Sequence, residues 1–214
     1  NDLVSGVAAD PSGATSTSEG MVFDTLGQLV TIGTFALGGG DHSIEFYFYY
    51  NNQFSGSQNP DIFNMNGNSA NSYRIQVTGT RTIQATIDEA GGGTPSVQSY
   101  GRWYHVVLTH EGNQFTQYVN RVIDATSTIS SKTTLISTGL FGGYPGLNDR
   151  TPDITLAYFR IWDGTSLSAS DVAALYSRRD TLTTPQLDFH VNNQLSLAIT
   201  DNGLALPQYD VEMK

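Results

Sequence analysis

Residues 100–124 read YGRWYHVVLTHEGNQFTQYVNRVID. Two runs of β-branched and aromatic residues are broken here by Glu111-Gly112-Asn113, and such a break between β-forming runs predicts a hairpin. Side chains alternate between faces along a strand, so His105 is expected on the outer face with Val107 and Thr109. Trp103, with Val106 and Leu108, is expected to anchor the core, because a Trp buries a large apolar area. His110 opens the turn, and both histidines are expected to be hydrogen-bonded or solvated rather than ligands or bases.

Similar runs recur on either side of this hairpin. In HSIEFYFYY, residues 42–50, the alternation places Ile44, Phe46, Phe48 and Tyr50 on one face and Glu45, Tyr47 and Tyr49 on the other. In ITLAYFRIW, residues 154–162, Ala157, Phe159 and Ile161 are predicted to point inward and Tyr158, Arg160 and Trp162 outward. Further short runs at 21–33, 72–79 and 82–90 are separated by turn residues, without alternating helical segments. That spacing predicts a sandwich or jelly roll. One stretch breaks the pattern: SLSASDVAALYSRRD, residues 166–180, has Ser168 as N-cap, Asp171 in the first turn, Val172, Leu175 and Tyr176 as its apolar face, and Arg178-Arg179 at the end. Acid at the start and base at the end suit the helix dipole, which predicts a short helix.

With 10 Lys and Arg against 20 Asp and Glu, the formal charge of -10 disfavours phosphate backbones and anionic headgroups as partners. No run of about 18 apolar residues is present, so membrane insertion is not expected. The chain has no Cys, which removes disulfides and thiolate metal sites. It begins with Asn rather than Met, as a processed or excised product would. The Gly-rich linkers are short and interleaved with strands, so one domain is expected over 1–180. Residues 181–214 are expected as a strand extension packing on that domain or on a neighbour.

Four pieces, in order, resemble the laminin G-like, concanavalin A-like jelly-roll family: GMVFDTLGQLVTIG, HSIEFYFYY, GRWYHVVLTHEGNQFTQYVN and YFRIWDGTSLSASDVAALY. The resemblance covers roughly residues 15–180. It implies an all-β fold, an antiparallel two-sheet jelly-roll sandwich with one short helix near the C-terminal end of the core. Two departures stand out. Family members commonly have Gly after the second hairpin strand where this chain has Arg121, a position that favours positive φ and makes a two-residue primed turn harder. Many relatives carry an acidic pair before the closing strand where Ala157-Tyr158 stands here, which puts a family calcium site using that pair in doubt.

Catalytic motifs of relatives on this fold are missing. There is no Glu-x-Asp-x-x-Glu run to place nucleophile and acid on one strand face. The acidic pair Asp88-Glu89 reads as a solvated loop pair. Polysaccharide lyases of similar architecture use a Lys-containing strand motif that this chain, with two Lys, lacks. Enzymatic activity is therefore not expected. The candidate binding residues are the outward set Tyr47, Tyr49, Arg160 and Trp162, together with Tyr144, Asn148 and Arg150 of the loop FGGYPGLNDRTPD. The outward set has a plain alternative, a small second core under the helix or the C-terminal segment. Calcium, an ion bound by several oxygens, is the metal to ask about, with Asp24, Asp149 and Asp153 as candidate ligands and turn capping as their alternative role.

The expectation is a non-catalytic recognition module, for a glycan or a cell-surface or virion protein, on an extracellular, cell-surface or virion-surface protein. Its alternative is a structural domain of a virion, appendage or adhesin, as a homo-oligomer or part of a larger chain.

Overall fold

A computed structural model describes residues 10–52, 59–66, 72–87, 90–91, 93–129, 134–144, 150–179, 186–190 and 210–212. Asp88, Glu89, Asn148 and Asp149 lie outside the described residues, as does most of 181–214.

The described chain runs through β1 (Asp10–Ser12), β2 (Thr15–Ser16), β3 (Met21–Phe23), β4 (Leu29–Gly38), β5 (His42–Tyr50), β6 (Asp61–Met65), β7 (Tyr73–Val77), β8 (Ile83–Ile87) and β9 (Ala90–Gly91). It continues through β10 (Arg102–Glu111), β11 (Gln114–Val119), β12 (Val122–Thr128), β13 (Thr134–Phe141), β14 (Ile154–Asp163), the helix α1 (Ala169–Arg178), β15 (Gln186–His190) and β16 (Asp210–Glu212). Two sheets form. The smaller has the order β1-β4-β13-β6-β7-β8-β9; the larger has β12-β11-β10-β5-β14-β15-β16, with β3 on the start of β14 and β2 on β3. Pairing is antiparallel except between β14 and β15, which run parallel from Tyr158↔Gln186 to Trp162↔His190. No helix of the described residues is long and apolar enough to cross a membrane.

The core lies between the sheets and follows the period-2 pattern. β5 supplies Ile44, Phe46, Phe48 and Tyr50, and β10 supplies Tyr104, Val106 and Leu108. From the smaller sheet come Ile62, Phe63 and Met65, Tyr73, Ile75 and Val77, and Ile83, Ala85 and Ile87. Phe159 joins the two layers, its ring centroid 4.8 Å from Phe63 and 4.7 Å from Phe141. Offset and edge-on contacts of this kind add to the stabilisation from burial alone.

The helix matches its sequence signals. Ser168 is the N-cap, its Oγ accepting from the Asp171 amide while the Asp171 carboxylate accepts from the Ser168 amide. This reciprocal box satisfies two otherwise orphaned donors.

Two local expectations are corrected, and a third position, Arg121, takes the positive φ expected of it. Trp103 is not in the sandwich core: it lies two residues before His105, so the alternation that turns His105 outward turns Trp103 outward too, and it pairs with Tyr49. On β14 the register slips between Leu156 and Tyr158, and Leu156, not Ala157, joins the core. Ala157 is the extra residue of this bulge. Gly20 stands against it, where a Cβ would run into the Leu156 carbonyl. Finally, the β11–β12 turn closes as a two-residue loop despite Arg121: Asn120 has φ 50° and Arg121 φ 67°.

Candidate functional site

The outer face of the larger sheet is built by three adjacent strands. Ser43, Glu45, Tyr47 and Tyr49 of β5 stand opposite Thr109, Val107, His105 and Trp103 of β10. On the other side of β5, Tyr158 pairs with Tyr47, Arg160 with Glu45 and Trp162 with Ser43. Alternation therefore sorts this face into three zones along the strands.

The first zone is closed. Val172 and Leu175 of α1, with Leu167, pack on Val107, Tyr118 and Trp162 as a second apolar cluster. Trp162 is only 4% exposed and Tyr158 2%. The structure thus brings the expected Tyr47, Tyr158, Arg160 and Trp162 together but covers Tyr158 and Trp162, as the alternative role of a small second core anticipates.

The second zone centres on Glu45, which has no exposed surface. Its Oε1 accepts from His105 Nε2 at 2.7 Å and from the Tyr158 hydroxyl at 3.0 Å; its Oε2 accepts from Arg160 Nη1 at 3.3 Å. Burial alone would push the carboxyl up, but the Arg160 charge and the His105 and Tyr158 hydrogen bonds outweigh it and hold Glu45 below the usual glutamate range. The Tyr158 phenol moves the other way, raised by burial and then by the Glu45 charge. A carboxylate that accepts three donors and touches no solvent is a structural anchor. The same holds on the smaller sheet for Asp61, which accepts from Gln76 at 2.7 Å, Asn64 at 3.0 Å and Arg74 at 3.1 Å.

The third zone is open. Trp103 is half-buried and stacks on Tyr47, with ring centroids 4.7 Å apart and planes at 23°; it meets Tyr49, also half-buried, edge-on at 5.4 Å. Tyr47 in turn contacts Tyr158 at 5.7 Å. The result is an aromatic stripe, fixed from beneath by buried rings and open to solvent at Trp103 and Tyr49. Sugar rings lie on such faces through C–H and apolar contact.

At the end of α1, beside this stripe, cations gather on one ring. Tyr176 stands edge-on to His105 at 5.6 Å, and the guanidinium carbons of Arg179 and Arg121 lie 3.9 and 5.5 Å from the Tyr176 centroid. Arg179 also donates to the Tyr176 carbonyl at 2.7 Å, which caps the helix. Arg121 is exposed and held in the left-handed region, a conformation that costs a non-glycine residue about 1 kcal/mol. Asn120, its partner in the turn, fastens the loop to β10: its amide donates to the His105 carbonyl at 2.8 Å and its side chain accepts from the His105 amide at 3.1 Å.

The remaining expected residues lie elsewhere. Tyr144 and Arg150 are half-buried, and the Arg150 guanidinium covers the Tyr144 ring at 4.9 Å. The Arg150 carbonyl accepts from the Asp61 amide, which ties this pair to the smaller sheet rather than to the stripe. Asp24 and Asp153 follow directly on the Phe23↔Ile154 pair and so share one rim. Asp153 is raised by burial, eased by an Asn51 hydrogen bond and raised again by the charge of Asp24. Asp24 meanwhile accepts from Thr25 and Gln28, as a turn-capping residue does. Calcium takes six to eight oxygens; among the described residues no group of three or more acidic or histidine side chains is placed to hold a metal ion.

Sequence reasoning missed Trp103, Arg121, Tyr176 and Arg179 as site residues. Trp103 had a usable signal, its spacing of two from His105, and Arg179 had another, lying three residues after Tyr176 at the helix end; Arg121, more than fifty positions from Tyr176, had none.

A family described as the concanavalin A-like lectin/glucanases superfamily matches residues 24–173, well over half of the 214. The chain belongs to this superfamily. The match runs from the Asp24 turn into α1, so the stripe, the Glu45 cluster and Arg121 all fall within the concanavalin A-like unit. None of the curated proteins compared with it matches. Solved structures of the same fold include the binding domain of botulinum neurotoxin serotype G, with a TM-score of 0.64 and 16% identity over 83% of this chain and 48% of that one. The sialidase of Trypanosoma rangeli, in complex with 2,3-difluorosialic acid, has a TM-score of 0.62 and 16% identity over 81% of this chain and 30% of the sialidase. A heptameric SAP-like pentraxin from Limulus polyphemus has a TM-score of 0.56 and 13% identity over 72% of this chain and 80% of the pentraxin. The chain therefore spans less than a third of the sialidase and about half of the toxin domain. At these identities the likeness is one of fold, which does not by itself carry function.

Proposed function

We propose that this concanavalin A-like domain is a non-catalytic recognition module that binds a glycan along the Tyr49–Trp103–Tyr47 stripe. The observation that carries the reading is Trp103, half-exposed yet stacked at 4.7 Å on Tyr47. A ring fixed in this way meets a ligand without losing side-chain freedom on binding. Support for the absence of catalysis comes from the carboxylates: Glu45 and Asp61 are buried and fully engaged by donors, whereas glycoside hydrolysis needs a carboxyl pair facing the substrate about 5–10 Å apart. A binding module of this kind belongs on an extracellular or particle surface.

The test is a glycan array probed with the purified chain, with calcium and with chelator, alongside Trp103→Ala. Selective binding that disappears in Trp103→Ala is the expected result; binding that survives the substitution places the site elsewhere, and sensitivity to chelator would bring in the Asp24–Asp153 rim.

One observation favours a second reading, an assembly domain. β12 is the edge of the larger sheet, and its first two residues, Val122 and Ile123, are 65% and 57% exposed. An apolar sheet edge is a pairing surface. A concentration-dependent dimer by sedimentation, lost in Ile123→Lys, would support it.

A further inference from the structure

The residues around the stripe include a group of arginines beside the acids Glu45, Asp163 and Asp171. The chain carries a formal charge of -10, yet four of its ten Lys and Arg residues, Arg121, Arg160, Arg178 and Arg179, sit on α1, on β14 beneath it, or on the turn beside it. Arg160 is committed to Glu45, and Arg179 to the Tyr176 ring and carbonyl. Arg121 differs from both. It is exposed, it enters no ion pair among the described residues, and it occupies a left-handed turn position that glycine would fill without strain. The turn is nonetheless held rigidly, by the Asn120 hydrogen bonds to both polar groups of the His105 backbone. His105 is the same-face neighbour of Trp103, so the Arg121 guanidinium, over Tyr176, is separated from the open ring by Tyr176 and His105. At the opposite end of the stripe, beyond Tyr49, the rim carries Asp24 and Asp153. Arg102, exposed beside Trp103 and opposite Tyr50, stands at this same end, so what distinguishes it from the α1 end is the Asp24–Asp153 pair.

We propose that the glycan bound here is anionic, and that a carboxylate or sulfate on the sugar is received by Arg121 while Trp103 supports a ring further along the oligosaccharide. The inference rests on the glycan-binding reading above and adds the ligand's chemical class and orientation. A planar guanidinium suits both groups, since each offers two oxygens to a bidentate donor. The oxyanion points toward the α1 end, away from the Asp24–Asp153 rim, whose charge would repel it. Arg121 is a specificity residue in this scheme, and Trp103 an affinity residue.

The experiment compares neutral, uronate-bearing, sialylated and sulfated oligosaccharides of matched length against wild type, Arg121→Gly, Arg121→Glu and Trp103→Ala, with folding of each confirmed by circular dichroism. Expected in the wild type is tighter binding of at least one anionic class than of its neutral counterpart, by about tenfold, the size of one charge-assisted contact. Arg121→Gly should remove that preference, bringing anionic binding down to the level of the neutral sugars, and Arg121→Glu should reverse it. The carboxylate and sulfate arms identify which oxyanion is recognised. Equal binding of neutral and anionic sugars by the wild type, or a preference that survives Arg121→Gly, would overturn the assignment while leaving glycan binding intact. No binding to any sugar, with Trp103→Ala indistinguishable from the wild type, would overturn the underlying reading as well.

Discussion

Glu45 and His105 are sixty residues apart in sequence and meet through a 2.7 Å hydrogen bond with neither side chain exposed to solvent. Glu45 is an acid whose native pKa lies below its ordinary value. Its ionised form thus contributes stability that is complete above the ordinary glutamate range and is lost as pH falls through the lower native value. Glu45→Gln is expected to lower unfolding free energy by about 3 kcal/mol at neutral pH, the scale for breaking a buried pair. Urea titrations at a series of pH values should show this gap narrowing in strong acid, where the wild type loses the same charge. A gap independent of pH would mean that the carboxylate charge plays no part. Asp61, raised by burial in spite of Arg74, works in the opposite direction: its ionisation subtracts stability as pH rises through its native value.

The two tryptophans should behave oppositely. Trp162, 4% exposed under α1, belongs to packing, and Trp162→Ala is expected to cost about 3–5 kcal/mol. Trp103 is half-buried, and as the proposed glycan contact its Trp103→Ala change should cost well under that while abolishing glycan retention in affinity electrophoresis. A Trp103→Ala protein that fails to fold would move Trp103 back among the packing residues.

Ser168→Ala removes the N-cap of α1 and should cost about 1 kcal/mol. Because α1 covers Trp162, the loss has an optical readout. In a Trp103→Phe background, Trp162 is the single fluorophore of its kind. Its emission is expected to shift to the red in Ser168→Ala at denaturant concentrations where the parent is unchanged.

Arg121→Gly relieves a left-handed backbone, but it gives up one cation–π contact and raises the conformational entropy of the unfolded chain. These effects are each about 1 kcal/mol and oppose one another, so the melting temperature should stay the same or rise by a few degrees. A large fall would show that Arg121 holds the hairpin in place.

The fold was legible because β5 alternates strictly and because Ser168, Asp171, Val172 and Leu175 spell a capped amphipathic helix. The face of Trp103 was harder to read. The run from Tyr104 to His110 that follows Trp103 is buried on both faces, by the sandwich core on one and by α1 on part of the other, so hydrophobicity alone does not mark its inward side. The site was legible only as far as strand adjacency carried it. Tyr47 and Tyr49 followed from β5, but the covering of Trp162 depends on where α1 docks, and the Arg121–Tyr176 contact on a turn whose backbone defies its residue preference.

The bulge at Ala157 has a consequence for how this protein can change over time. Upstream of it, Ile154 and Leu156 occupy the inward positions of β14; downstream, Phe159 and Ile161 do. One inserted residue reconciles an even-numbered half with an odd-numbered half. Losing that single codon would make Leu156 and Tyr158 consecutive, as their partners Phe48 and Tyr47 already are, so Tyr158, Arg160 and Trp162 would stay outward and Glu45 would keep its donors. Lineages carrying this face should therefore tolerate loss of Ala157, with the Gly20 contact the part that must readjust, and β14 can vary by one residue at this point without changing the side chains it presents.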